Sequence, residues 1–215
     1  MAKMFRTEYQ GATQGIPLMR ASYAFNMQTA RQQKKDDGTI KDEYGATLIL
    51  PRSNVEGLRK LQSMVAEAVK GEWGDKGVER FKNGLIKNPI LPGDGKEARN
   101  KETGEIMPGL GADFVFIRAK SNDPVKVFNA KLLPASKDEI VSGHWGYAVL
   151  NAFTWHNPKN GDGVTFGISM FQFTKADDVL GGSGGPSDPN AYFETVSTGG
   201  GDEGSSGNGA ADMFG

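Results

Sequence analysis

Two long runs of alternating side chains, His144–His156 and Val164–Thr174, are separated only by Asn157-Pro158-Lys159-Asn160-Gly161-Asp162-Gly163. A period of two marks a strand, because successive side chains point to opposite faces of a sheet. An Asn-Gly and an Asp-Gly both fall in the connection, so the pair is expected to form a hairpin with a long tip. Such a ribbon must bury one face, and further strands supply the cover. Asp113–Lys120 reads as one, Tyr44–Leu50 as another ended by Pro51, and the alternation over Met19–Met27 as a third. Between them Ser53-Asn54-Val55-Glu56 fits a capping box with Ser53 as the cap. Leu58, Leu61, Val65, Ala68 and Val69 then recur at helical spacing, and Gly71 supplies a stop. Residues 92–111 are charged and glycine-rich without periodicity, which predicts an exposed loop. Strands, one helix, then more strands make the chain mainly β: an OB-fold-like β-barrel with one interposed α-helix.

Charge divides the chain. All 25 basic residues precede Ala176, against 19 acids, a surplus of six; the last forty residues hold seven acids and no base. Eleven glycines in the same stretch predict a disordered, acidic, Gly-rich tail over 176–215 behind a folded domain over 1–175. Behaving as a coil, forty such residues span roughly 35 Å. A 175-residue domain has a radius of gyration of about 16 Å. The tail is long enough to reach a groove on its own body.

The Phe114-Val115-Phe116-Ile117-Arg118-Ala119-Lys120 segment carries the sharpest local chemistry. One strand face holds Phe114, Phe116, Arg118 and Lys120; the other holds Val115, Ile117 and Ala119. Rings aligned with cations suit an unpaired nucleic-acid strand, since rings stack on any base while Arg and Lys follow the phosphates. The same residues suit a core layer with two charges past its edge, and the segment alone leaves both readings open. The first arm of the hairpin repeats the theme. Trp145, Tyr147, Val149, Asn151, Phe153 and Trp155 share one face, opposite Ala148, Leu150, Ala152 and Thr154. Tyr23 and Phe25 carry the same ambiguity, and Trp73 fits a packing lid. Arg20, Lys41, Arg52, Lys126, Lys131 and Lys159 are basic candidates for a groove near these strands.

Catalytic constellations are absent. There is no cysteine, and His144 and His156 are the only histidines, so no metal site and no cofactor are expected. Gly181-Gly182-Ser183-Gly184-Gly185 matches a nucleophile-elbow pattern but lacks the strand before it and the helix after it. No phosphate loop ending in Gly-Lys-Ser/Thr occurs. A non-enzymatic protein is expected. With no signal-like leader and no apolar run of spanning length, the expectation is a soluble protein with no membrane partner.

The order Tyr44-Gly45-Ala46-Thr47-Leu48-Ile49-Leu50-Pro51, capped helix, Phe114–Lys120, Gly143-His144-Trp145-Gly146-Tyr147-Ala148 and Gly163-Val164-Thr165-Phe166-Gly167-Ile168 resembles the phage single-stranded-DNA-binding proteins of the OB-fold type. The resemblance covers roughly residues 15–180 and lies in the sequential pattern. It implies a barrel whose open face holds single-stranded DNA without sequence preference, in replication and recombination within the cytoplasm of an infected cell. It also implies an acidic tail that contacts replication or recombination proteins and shields the groove. Asp202, Glu203, Asp212, Met213 and Phe214 are the tail candidates; family tails commonly end in an aromatic residue, and here Gly215 follows Phe214. A homo-oligomer and RNA binding are compatible with the same residues. The competing expectations are a protein-interaction or assembly module presenting the aromatic face and, further off, a metal-dependent nuclease using scattered carboxylates.

Overall fold

The computed structural model describes residues 18–34 and 38–181, together with the backbone of residues 6–8. Chain order is β1 (Arg6–Glu8), β2 (Leu18–Ser22), β3 (Arg31–Lys34), β4 (Ile40–Pro51), α1 (Val55–Lys82), β5 (Ile86–Lys87), β6 (Leu91–Pro92), β7 (Phe114–Ser121), β8 (Lys126–Phe128), β9 (Trp145–Asn157) and β10 (Gly161–Lys175). The central path runs β9-β2-β4-β7-β10, and β10 pairs back onto β9, so five strands close a ring. Every pairing in the ring is antiparallel except β7 with β10, which run parallel in the short register Phe166↔Ala119 and Gly167↔Lys120. A five-stranded ring of this pattern is the OB-fold barrel. The mainly β barrel with one helix, as expected from the alternation, is what the chain forms.

Burial follows the period of two. Along β9, Gly146, Ala148, Leu150, Ala152 and Thr154 are buried while the odd positions face outward. These inward residues share a core with Leu48 and Leu50 of β4, Ile117 and Ala119 of β7, and Phe166 and Phe171 of β10. Leu61, Met64, Val65, Ala68 and Val69 of α1 join the same cluster, so the helix covers the barrel interior with one stripe.

Four local expectations change. The helix cap is Asn54, whose side chain accepts from the Gly57 amide, in place of Ser53. Gly71 does not stop α1: helical turns carry a glycine when one stripe stays buried, and the break comes at Gly74, in left-handed φ of 63°. The segment beyond Gly74 carries Arg80, whose guanidinium sits 5.9 Å from the ring of Trp73, itself packed on the core as expected. Strand β2 ends at Ser22, because Tyr23 turns left-handed (φ 56°) and Ala24–Met27 forms a 3-10 turn. The hairpin tip is short: Asn157 pairs with Gly161, and the Asn157 side chain accepts from the Lys159 and Asn160 amides. Gly161 supplies the positive φ that such a three-residue loop requires.

The compact unit runs to Gly181, six residues past the boundary expected from charge. Arg20 donates to the carbonyls of Gly143 and Asp178, the Trp145 indole donates to Asp177, and Leu180 is buried. The indole, followed by the Asp178 amide, holds the Asp177 carboxyl below the usual aspartate range. The predicted disorder of the tail falls, for residues 182–215, outside the described residues.

Asp162 ties the hairpin to the helix. It is buried on β10, with Arg80 of α1 at 2.5 Å on one oxygen and His156 at 2.5 Å on the other. Hydrogen bonds from His156 and then Arg80 hold its carboxyl below the ordinary value of 3.8, against the opposing pull of burial. A depressed native value stabilises the fold above the unfolded value and loses that contribution as pH falls through the native one. Denaturation midpoints measured from about pH 5 downward should therefore drop more steeply in the native chain than in Asp162→Asn, and parallel curves would mean the pair contributes nothing.

Candidate nucleic-acid interface

The outer face of β4 and β7 forms the floor of an open cleft of about 390 Å³. Gly45 has φ of +151°, and a Cβ there would run into the Ala119 carbonyl of β7, so the position excludes larger side chains. The turn after β2 makes one wall with Tyr23 and Asn26, β3 adds Arg31, and β7 adds Arg118 and Lys120. A second opening of about 430 Å³ continues past Arg118 and Met107 toward Arg99 and Lys101. Tyr23 lines both, is 56 % exposed, and its hydroxyl faces the Met107 sulfur at 3.9 Å. Phe25, on the same turn, is 61 % exposed.

The cations are arranged in advance. Arg118 donates to the Glu97 carbonyl at 2.8 Å and stands 5.6 Å from the Phe116 ring centroid, which fixes its guanidinium. Glu43 holds both Arg31 (3.0 Å) and Lys120 (2.8 Å). With Arg31, Arg118 and Lys120 set against Glu43, the floor keeps a positive balance. Exposed pairs of this kind are weak, so a phosphate can displace the carboxylate. Exposed rings beside positioned cations can stack on bases while neutralising the backbone between them.

The expected site residues divide. Tyr23, Arg118 and Lys120 meet in the cleft. Phe116 does not: it is fully buried with Ile49, Ala98 and Leu180, and Phe114 is half-buried against the same cluster. The reason is the segment after β6, which folds back over the outer face of β7 and seats Ala98 on the ring. Residues 92–111 are thus a cover for that cluster as well as a cleft wall. Arg20 is also withdrawn from the surface, since its hydrogen bonds clamp the chain at Asp178 and its side chain is only 14 % exposed. Tyr147, Phe153 and Trp155 lie on the outer face of β9, which neighbours β2 and β10 and not the cleft strands. Trp155 packs over Gly163 beneath the Lys87 ammonium. Lys126 and Lys131 are exposed and line neither opening. Asp202, Glu203, Asp212, Met213 and Phe214 lie outside the described residues.

The sequence reading missed Arg31, Arg99, Lys101 and Met107. The first stands on a short edge strand without apolar alternation, and the others on an aperiodic segment. The break at Tyr23 had no signal in a run that alternates through Met27.

Residues 16–199, most of the chain, match the family described as Enterobacter phage Enc34, ssDNA-binding protein. In fold the chain is similar to the single-stranded DNA-binding protein from bacteriophage Enc34 in complex with ssDNA: TM-score 0.55 at 17 % identity, covering 83 % of this chain and 89 % of that one. A C-terminal truncation of that phage protein gives TM-score 0.52 at 17 % identity, covering 83 % and 88 %. No curated protein matches the chain in sequence.

Proposed function

This chain belongs to the family of the Enterobacter phage Enc34 ssDNA-binding protein, and from that premise we propose that it binds single-stranded DNA in the β4–β7 cleft without sequence preference. It does so as a non-enzymatic protein that protects exposed strands during phage replication and recombination in the host cytoplasm. The observation that carries the reading is the exposed Tyr23 ring on the wall of a cleft lined by Arg31, Arg118 and Lys120. Bases stack on the ring, phosphates replace Glu43 on the cations, and within the cleft sequence is not read from base edges. The experiment is anisotropy of a labelled oligo-dT across a salt series, because no tryptophan lines the cleft. Three or four phosphate contacts give a log–log slope of roughly −2 to −3. No binding at low salt would sink the reading and favour a protein-interaction surface.

Tyr23→Ala should weaken binding by about 1–3 kcal/mol, roughly 5- to 150-fold, as for loss of one stacking platform. The thermal midpoint should stay within a few degrees, since the ring is exposed and Ala also occupies a left-handed position that favours glycine. Unchanged affinity in the folded variant would remove Tyr23 from the interface.

The acidic segment beyond Gly181 has two proposed roles: recruiting replication or recombination proteins, and competing with DNA for the cleft. Its starting point supports the second, because Gly181 lines a small pocket that shares Tyr23, Thr47 and Met107 with the cleft. Deleting residues 182–215 should tighten oligo-dT binding most at low salt, where electrostatic competition is least screened. Equal affinities with and without the segment would leave partner recruitment as its role.

A further inference from the structure

We infer that the small pocket beside the cleft receives one nucleobase of the bound strand and favours a pyrimidine over a purine at that one position, a bias of base class added to cleft binding that itself reads no sequence. The inference rests on the strand lying in the β4–β7 cleft. The pocket encloses about 120 Å³ between the end of β2, β4 and the residues around Leu180. Ile49, Pro108 and Leu180 give it apolar walls, and Ser22, Thr47 and Ser142 bring three hydroxyls to it. Tyr23 and Met107 line both this pocket and the cleft, so the two are continuous at the tyrosine.

Size sets the ligand class. A dry cavity of about 150 Å³ takes a benzene molecule. One of 120 Å³, open toward the cleft, therefore matches a single six-membered ring, whereas the fused rings of a purine would project from its mouth. Hydroxyls set the tolerance, since each can donate or accept and so meets the edge of either thymine or cytosine. Ser142 already accepts from the Ala24 amide at 3.1 Å, which leaves its own O–H to turn toward a ligand.

The backbone at the mouth is built for this. Tyr23 holds left-handed φ of 56°, which costs a residue with a side chain, and such strain persists only where surrounding contacts impose it. Here the Asn26 amide donates to the Tyr23 carbonyl and the Ala24 amide is tied to Ser142. The chain thereby turns out of β2 at the boundary of the two spaces. Since Tyr23 lines both spaces, a strand stacked on its ring lies beside the pocket.

The test is a ratio of ratios. Affinities for oligo-dT and oligo-dA of one length are measured for the full chain, for Ser22→Leu, which fills the pocket, and for Leu180→Ala, which enlarges it. Self-stacking of the free purine strand is common to all three proteins and cancels. The dT:dA affinity ratio should fall about tenfold in Ser22→Leu through loss of dT binding. It should fall also in Leu180→Ala, through gain of dA binding. A ratio unchanged in both folded variants overturns the pocket while leaving strand binding intact. If only one variant folds, its ratio decides. Absence of salt-dependent binding of either strand by the full chain overturns the cleft reading itself, a result that the ratios cannot imitate.

Discussion

Phe116→Ala is expected to destabilise the barrel by about 3–5 kcal/mol, the range for removing a fully buried phenylalanine. The ring has no exposed surface and fills a cluster with Ile49, Ala98 and Leu180, roofed by Leu91, Leu110 and Phe114. Nothing in that shell can collapse cheaply, because Ile49 is fixed in β4 and Ala98 in a 3-10 turn. Urea denaturation should show the loss directly. Oligo-dT affinity measured well below the new midpoint should change less, through Arg118, whose guanidinium rests over the ring. The alternation of Phe114–Lys120 alone is equally consistent with the opposite pattern, full stability and a loss of roughly 1–3 kcal/mol in binding. Observing that pattern would mean that the segment between β6 and β7 lifts away and exposes the ring to DNA.

The contrast shows what the chain order could and could not carry. Strands β7, β9 and β10 were legible because each is a run of eight residues or more rich in aromatic and β-branched side chains, one face of which enters the barrel. Which face of β9 turns inward was not legible, since a core of large residues gives the same alternation with the faces exchanged; the small-residue face from Ala148 to Thr154 is the buried one. Alternation is blind to what covers the outer face. On β7 that cover comes from a stretch around Ala98 with no periodicity of its own, so Phe116 and Arg118 share a strand face yet have opposite fates: one sealed, one exposed. The same blindness leaves Tyr147, Phe153 and Trp155 among the candidates for the same site, although ring closure sets β9 away from β4 and β7. Arg20 was unreadable for a different reason. Its partners are carbonyls of Gly143 and Asp178, more than a hundred residues away, and backbone acceptors leave no trace in composition.

Reversing two charges, Arg118→Glu with Lys120→Glu, should nearly abolish binding at low salt while leaving the fold intact. Both side chains are exposed on β7, and each hydrogen bond from a cation to a phosphate is worth about 1.5–3 kcal/mol. Losing two lowers affinity by about 3 kcal/mol or more, and two new carboxylates facing a polyanion add to that. The salt slope should become shallower by roughly 1.4, at about 0.7 per phosphate contact on a single strand. Stability is the control. Lys120 loses its pair with Glu43, which keeps Arg31, and Arg118 loses its hydrogen bond to the Glu97 carbonyl and its place over the Phe116 ring, all at the surface. Surface pairs contribute little, and their loss should shift the thermal midpoint by a few degrees at most. A variant that keeps its slope and its affinity would show that the strand runs elsewhere on the barrel, and the outer face of β9, with Tyr147 and Trp155, would then be the surface to test. A variant that loses affinity at unchanged slope would point to stacking, with Tyr23 carrying the binding and the cations serving only to draw the strand in.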